Sequence, residues 1–241
     1  VRARLEAIPY LPAAAVRNAA GETPREAVAP GSLISIFGKN LAPALEAGPE
    51  NPLAQTIAGV TVRLSGTLLP LVMVSPEEIR AQLPSDLPEG EQTLTVRWEG
   101  KPETGAPFTV VRNAPGLFYT EVEGRPYGVF IHEDGSAVSA GSPARGGETV
   151  TLLGTGLGPF KRTPPDGFLL PEADDFRLAD PVELICGESV AEPLYAGSTS
   201  IAVGLHAVRF RIADAFPRGA SVPVKVRVNG AESNAVLLPV E

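Results

Sequence analysis

Apolar and polar residues alternate with a period of two through most of this chain, which predicts strands rather than helices. Val60, Val62 and Leu64 alternate with Thr61, Arg63 and Ser65. Leu94, Val96 and Trp98 alternate with Thr93, Thr95 and Arg97, and Val224, Val226 and Val228 with Lys225 and Arg227. Residues 33–37, 68–74 and 149–153 read as more continuously apolar strands. Between them stand turn formers, including Leu87-Pro88-Glu89-Gly90 and Asp134-Gly135. Ser75-Pro76-Glu77-Glu78 predicts one helical turn, with Ser as N-cap and Pro at the first helical position. The chain holds 25 Gly and 25 Pro in 241 residues. That punctuation suits many short strands and excludes long helices.

The elements recur in the same order. Residues 149–153 echo residues 33–37; Val182, Leu184 and Cys186 match Val60, Val62 and Leu64; Leu194-Tyr195 matches Val72-Met73. Val208, Phe210 and Ile212 match Ile79, Ala81 and Leu83, and Phe216-Pro217-Arg218-Gly219 matches Leu87-Pro88-Glu89-Gly90. A duplication of whole domains follows, each of about the 100 residues of an immunoglobulin-like sandwich. A single large barrel is the alternative, and the duplication argues against it. The expected fold is all-β: an extension strand at 1–17, one sandwich at 18–112 and a second at 113–241.

Residues 1–17 match nothing before the second repeat. Val1, Ala3, Leu5 and Ala7 alternate with Arg2, Arg4 and Glu6, a half-buried strand with a short helix as competitor. Pro9 and Pro12 stop either one, while Ile8, Tyr10 and Leu11 add apolar surface. Three readings stand open: an edge strand of its own first domain, the tail of an upstream domain, or a strand added to a neighbouring subunit. The last makes a head-to-tail fibre, because a heterologous contact that does not close propagates.

A net charge of −8 leaves no basic surface for nucleic acid or anionic membrane. No apolar run approaches the roughly 18 residues of a membrane span. The first residue is Val, which suggests a processed product or a fragment; removal of a signal peptide before Val1 places the protein outside the cell or on its surface. The single cysteine, Cys186, forms no intrachain disulfide and reads as a small buried hydrophobe. Gly154-Thr155-Gly156-Leu157-Gly158 follows a strand as a dinucleotide loop does, but Pro159 and Phe160 follow in place of a helix, so it reads as a turn. Asp166, Glu172, Asp174, Asp175 and Asp180 crowd one long connection and are the candidate calcium ligands, although their spacing matches no calcium loop. His132 and His206 are the two histidines, and neither stands beside a nucleophile in the sequence. Trp98, at an alternating position, reads as core.

Taken together, Asn18-Ala19-Ala20, residues 29–42 (APGSLISIFGKNLA), Val74-Ser75-Pro76, Asn113-Ala114-Pro115-Gly116-Leu117-Phe118, Asp134-Gly135-Ser136, residues 154–159 (GTGLGP) and Val228-Asn229-Gly230 with Ser233-Asn234 carry a family likeness. They resemble the IPT/TIG (E-set) branch of immunoglobulin-like domains. More narrowly, the order is similar to the "Solibacter" C-terminal domain of acidobacterial secreted proteins. The resemblance spans residue 18 onward; Glu77-Glu78-Ile79-Arg80 is more charged than the family pattern. It implies export and a fold used for binding, spacing or assembly, and it brings no catalytic residue or cofactor. The expected function is a non-enzymatic exported structural protein, with Val1, Ala3, Leu5, Ala7, Ile8, Tyr10 and Leu11 as the self-assembly surface. The alternative is a carbohydrate- or protein-binding adhesion module, with Phe160, Phe168 and Phe176 exposed in loops. A hydrolase needs an acid/base pair that the sequence does not name.

Overall fold

The computed structural model describes residues 8–21, 27–187, 189–213 and 216–241. Val1, Ala3, Leu5 and Ala7, the first half of the expected assembly strand, lie outside the described residues. Apart from a 3-10 turn at Asp174–Phe176, the described regular structure is all β. The described strands form four sheets around two separate apolar cores.

In the first sandwich one sheet runs in the order Val16–Asn18, Leu33–Phe37, Glu78–Gln82, Leu71–Val74, Glu46–Ala47. Its partner runs Ala27–Val28, Thr104–Val110, Gly90–Trp98, Val60–Leu64, Thr67–Leu68. Ile34, Ile36 and Ile79 from one sheet meet Val60, Val62, Leu94 and Val96 from the other. The second sandwich repeats this scheme. Gly116–Leu117, Thr149–Thr155, His206–Arg211 and Tyr195–Ser198 form one sheet, with Phe130–Ile131 also paired to Thr149–Thr155. The facing sheet runs Tyr119–Val122, Arg125–Gly128, Val236–Val240, Gly219–Val228, Val182–Cys186, Ser189–Ala191. Alternation sets which face is buried. Every second residue of Val60–Leu64 and of Val182–Cys186 points into its core.

The register shows how deep the duplication goes. Ile36 stands opposite Ile79 and Val16, as Leu152 stands opposite Val208 and Phe130. The Phe37 N–H donates to the Ala15 carbonyl at 2.9 Å, and the Leu153 N–H to the Val129 carbonyl at 3.1 Å. Tyr10 bridges to Lys39 as Gly116 pairs with Thr155. Hence Tyr10-Leu11 corresponds to Gly116-Leu117, and both leucines are buried. The expectation that residues 1–17 have no counterpart therefore fails for the described part. Leu11, Ala15 and Val16 belong to the first core, and a division at 17/18 falls inside the strand Val16–Asn18.

The counterpart was hidden because the second sandwich inserts a hairpin, Tyr119–Val122 with Arg125–Gly128, between Leu117 and Val129. Glu123 and Gly124 turn it with positive φ of 52° and 72°. Thr120, Glu121 and Val122 all face solvent, so no alternation announces it. The helical turn expected at Ser75 is also absent. The Ser75 hydroxyl instead accepts from the Glu77 and Glu78 amides at 3.3 and 2.9 Å and bends the chain straight into Glu78–Gln82.

Because Leu11 fills the first core, Leu11→Ala is expected to destabilise the protein by roughly 2–4 kcal/mol in chemical denaturation. No change would mean that this segment adds nothing to the sandwich.

Candidate functional site

The most elaborate polar construction in the molecule is the joint between the sandwiches. Thr155, at the end of its strand, is fully buried, and its hydroxyl works in both directions. It accepts from the Leu33 amide at 2.9 Å and donates to the Gly204 carbonyl at 2.8 Å. The Asn18 amide donates to the Ala114 carbonyl at 2.7 Å, while its oxygen accepts from the Ala20 amide at 2.8 Å. Asn113 donates to the Leu157 carbonyl and to Asp180, and Asp180 takes two further hydrogen bonds from Arg112 at 2.8 and 2.9 Å. That guanidinium, more than the burial opposing it, holds the Asp180 carboxyl below its usual range. Of the glycines of 154–158, Gly156 faces Asn18 of the first sandwich, while Gly154 and Gly158 meet Gly116 and Asn113 of their own. Gly156 has φ +73°, and a Cβ on it would lie 2.4 Å from the Ala114 carbonyl oxygen. The motif is thus a close-approach turn, as its lack of a following helix implied.

The long connection of the second sandwich reaches back onto the first. Asp166 accepts from the Ser85 hydroxyl at 2.6 Å and the Ser85 amide at 3.0 Å. Gly167 donates to the Gln82 side chain at 2.7 Å and accepts from the Leu53 amide at 2.8 Å. The Leu169 amide donates to Asn51 at 3.1 Å. Burial raises the Asp166 pKa, the Ser85 hydrogen bonds offset part of that, and the charge of Asp86 adds to it.

The five candidate calcium ligands do not converge. Glu172 pairs with Arg209 at 2.6 Å, Asp174 with Arg177 and Lys161, Asp175 with Arg162, and Asp180 with Arg112. Among the described residues no group of three or more acidic, histidine or cysteine side chains is placed to hold a metal.

The two histidines differ. His206 opens its strand, fully buried, and its Nδ1 accepts from the Leu157 amide at 3.2 Å. Phe160 packs edge-on to the ring. Burial lowers its pKa to about 4. His132 lies between Glu148, 2.5 Å from Nδ1, and Ser142, whose hydroxyl and carbonyl oxygens stand 3.2 and 3.1 Å from Nε2. Acid, imidazole and hydroxyl are the parts of a nucleophilic relay. The electrostatics oppose that use. Burial disfavours the imidazolium, but Glu148, the Ser142 carbonyl and Asp134 outweigh it and raise the pKa. A ring donating from both nitrogens is satisfied as the cation and has no lone pair for a serine proton. The group is a clasp across the hairpin. Glu148 and Ser142, 16 and 10 residues away, carried no sequence signal.

Of the expected assembly residues, Leu11 is buried, whereas Ile8 and Tyr10 are 58% and 57% exposed. Among the loop aromatics Phe160 and Phe176 pack against each other, and Phe168 is exposed. Trp98 is half-buried against the first core. Cys186 is buried, and its thiol is pushed up to about 12. A cavity of about 630 Å³ opens beside the joint, lined by Gln55, Thr67, Asp86, Gln92 and Asp166 over Leu64 and Leu87.

No family model and no curated protein matches the chain. Several solved structures do, at low identity. SGBP-B of the Bacteroides ovatus mixed-linkage glucan utilization locus, in complex with a mixed-linkage heptasaccharide, is 11% identical over 92% of this chain, with a TM-score of 0.35. This chain spans 44% of that one. The BSP domain of a biofilm-associated protein is 11% identical over 94% of this chain and 30% of its own, with a TM-score of 0.29. Tandem Ig repeats of Dlar are 10% identical over 98% and 99% of the two chains, with a TM-score of 0.24.

Thr155→Val removes one donor and one acceptor and leaves the Leu33 amide and Gly204 carbonyl unpaired. A loss of roughly 1–3 kcal/mol in denaturant unfolding is expected. The histidines act on stability with opposite signs. His206, at about 4 against an ordinary 6.5, destabilises the fold as pH falls from about 6.5 to 4, by about 3 kcal/mol in all. His132, whose pKa is raised, stabilises it fully below its ordinary pKa and ceases to do so as pH rises through the folded value. His206→Asn keeps an acceptor for Leu157, so its melting temperature should fall less than that of the unsubstituted protein between pH 6.5 and 4.

Proposed function

We propose that this chain is a non-enzymatic structural module of the cell surface, built from two immunoglobulin-like units of the IPT/TIG kind, that works by protein–protein contact and self-assembly. One observation carries the reading. The chain from Pro9 to Asn18 is laid onto the first sandwich with Ile8 and Tyr10 exposed, directly after the alternating Val1, Ala3, Leu5 and Ala7. An apolar strand pattern delivered to an exposed apolar end is the arrangement that strand addition to a second copy uses. The polar constructions of the molecule support the same reading. The joint and the His132 clasp spend their hydrogen bonds within the fold, and the acidic loop is neutralised pair by pair. No described helix is long and apolar enough to cross a membrane.

A second reading, a carbohydrate-binding module, is favoured by the cavity of about 630 Å³ and its lining of amides, hydroxyls and carboxylates.

Deleting residues 1–7 is expected to abolish long fibres in electron micrographs while leaving the melting temperature nearly unchanged. Fibres that persist without those residues would remove strand addition. Under the second reading, Gln92→Ala would weaken binding on a glycan array; an array without hits would end it.

A further inference from the structure

The duplication makes each end of one sandwich comparable with the same end of the other. The joint packs the end of the second sandwich at Ala114, Gly116 and Thr155 against the end of the first at Asn18, Leu33, Gln82 and Ser85, and the buried Leu153 stands two residues before Thr155 on the same strand. The register assigns the counterparts. On the first sandwich Ala114, Gly116, Leu153 and Thr155 become Ile8, Tyr10, Phe37 and Lys39. On the second, Asn18, Leu33 and Gln82 become His132, Thr149 and Arg211.

The first set is buried. Ala114 is 6% and Leu153 4% exposed. Their counterparts are larger, apolar and open, with Ile8 at 58%, Tyr10 at 57% and Phe37 at 37%. Leu45, 72% exposed, lies in the loop that corresponds to the connection carrying Asp166 and Gly167 onto the first sandwich. So four of the exposed large apolar side chains belong to an end whose equivalent is covered. The backbone is already shaped for contact. Asn40 holds φ 57° where Gly156 holds 73°, and Leu41 is buried as Leu157 is.

Large apolar side chains left exposed at one end mark an interaction site, and the internal joint shows what sits at the equivalent end. We propose that the Ile8, Tyr10 and Phe37 end of one copy docks on the His132 and Thr149 end of a second copy, in the arrangement that joins the two sandwiches within the chain. The arriving end brings Lys39 in place of Thr155, and the receiving end bears Glu133, Asp134 and Glu148 around His132, with Arg211 opposite Thr149 as a cation among its assigned counterparts. The contact is heterologous, so it repeats head to tail. It deepens the assembly reading above, sharing Ile8 and Tyr10 with it but not requiring residues 1–7.

Sedimentation of the full chain against concentration tests it. The unsubstituted protein is expected to associate, and Phe37→Ser to weaken association at least tenfold with a small change in melting temperature, because Phe37 lies outside the core and packs under the Arg17 guanidinium. Lys39→Glu should weaken it similarly, and mixing that variant with Glu133→Lys should restore mixed pairs. A chain lacking residues 1–7 should still form short end-to-end oligomers, which separates this contact from strand addition. Association untouched by Phe37→Ser and by Lys39→Glu, or a chain that stays monomeric at millimolar concentration, would overturn the proposal.

Discussion

Two sandwiches placed end to end bring strand termini and loop backbone out of water, and every buried N–H and C=O must then find a partner. The hydroxyl of Thr155 meets that demand at the centre of the molecule, serving a donor on one sandwich and an acceptor of its own. Around it the Asn18 and Asn113 amides do the same for Ala114, Ala20 and Leu157. Small side chains make the approach close enough, and glycine at 116, where a Cβ would lie 2.5 Å from the Ala20 carbonyl oxygen, lets the backbones meet. The two apolar cores supply most of the folding energy, yet they would serve equally well in sandwiches on a free tether. The polar joint turns two domains into one oriented object.

Much of this architecture was legible in the chain, because a half-buried strand writes its burial as alternation. The pairs Val60/Val182, Val62/Leu184 and Leu64/Cys186 align by alternation alone, and they occupy equivalent places. Where alternation fails, the reading failed. The hairpin at Tyr119–Gly128 exposes nearly all of its first strand, so it left no period and concealed the equivalence of Leu11 with Leu117. Ser75-Pro76 carries helix-start chemistry, but the same hydroxyl caps a turn that leads into a strand. Local chemistry was read correctly and its context was not.

The site was less legible than the fold. The joint links residues 81 to 122 positions apart through asparagine, threonine, serine and glycine, residues that look alike in any loop. The His132 clasp depends on a hairpin returning Ser142 and Glu148 to one ring. The acidic loop drew attention as a cluster in sequence, and in space its members separate toward different cations. Proximity along the chain is a poor guide to convergence in an all-β protein, where neighbours alternate faces.

The parallel pairing of Ala27–Val28 with Thr104–Val110 recurs in the second sandwich, where Tyr127 lies alongside Leu237 and Ala144 alongside Val240. In both, an early segment of the unit runs beside its last strand in the same direction. Tension drawn through the chain pulls these partners past each other along their length, so their hydrogen bonds resist together and are not opened one after another. Within each unit this parallel contact is therefore loaded in shear when its early and last segments are drawn apart along the chain.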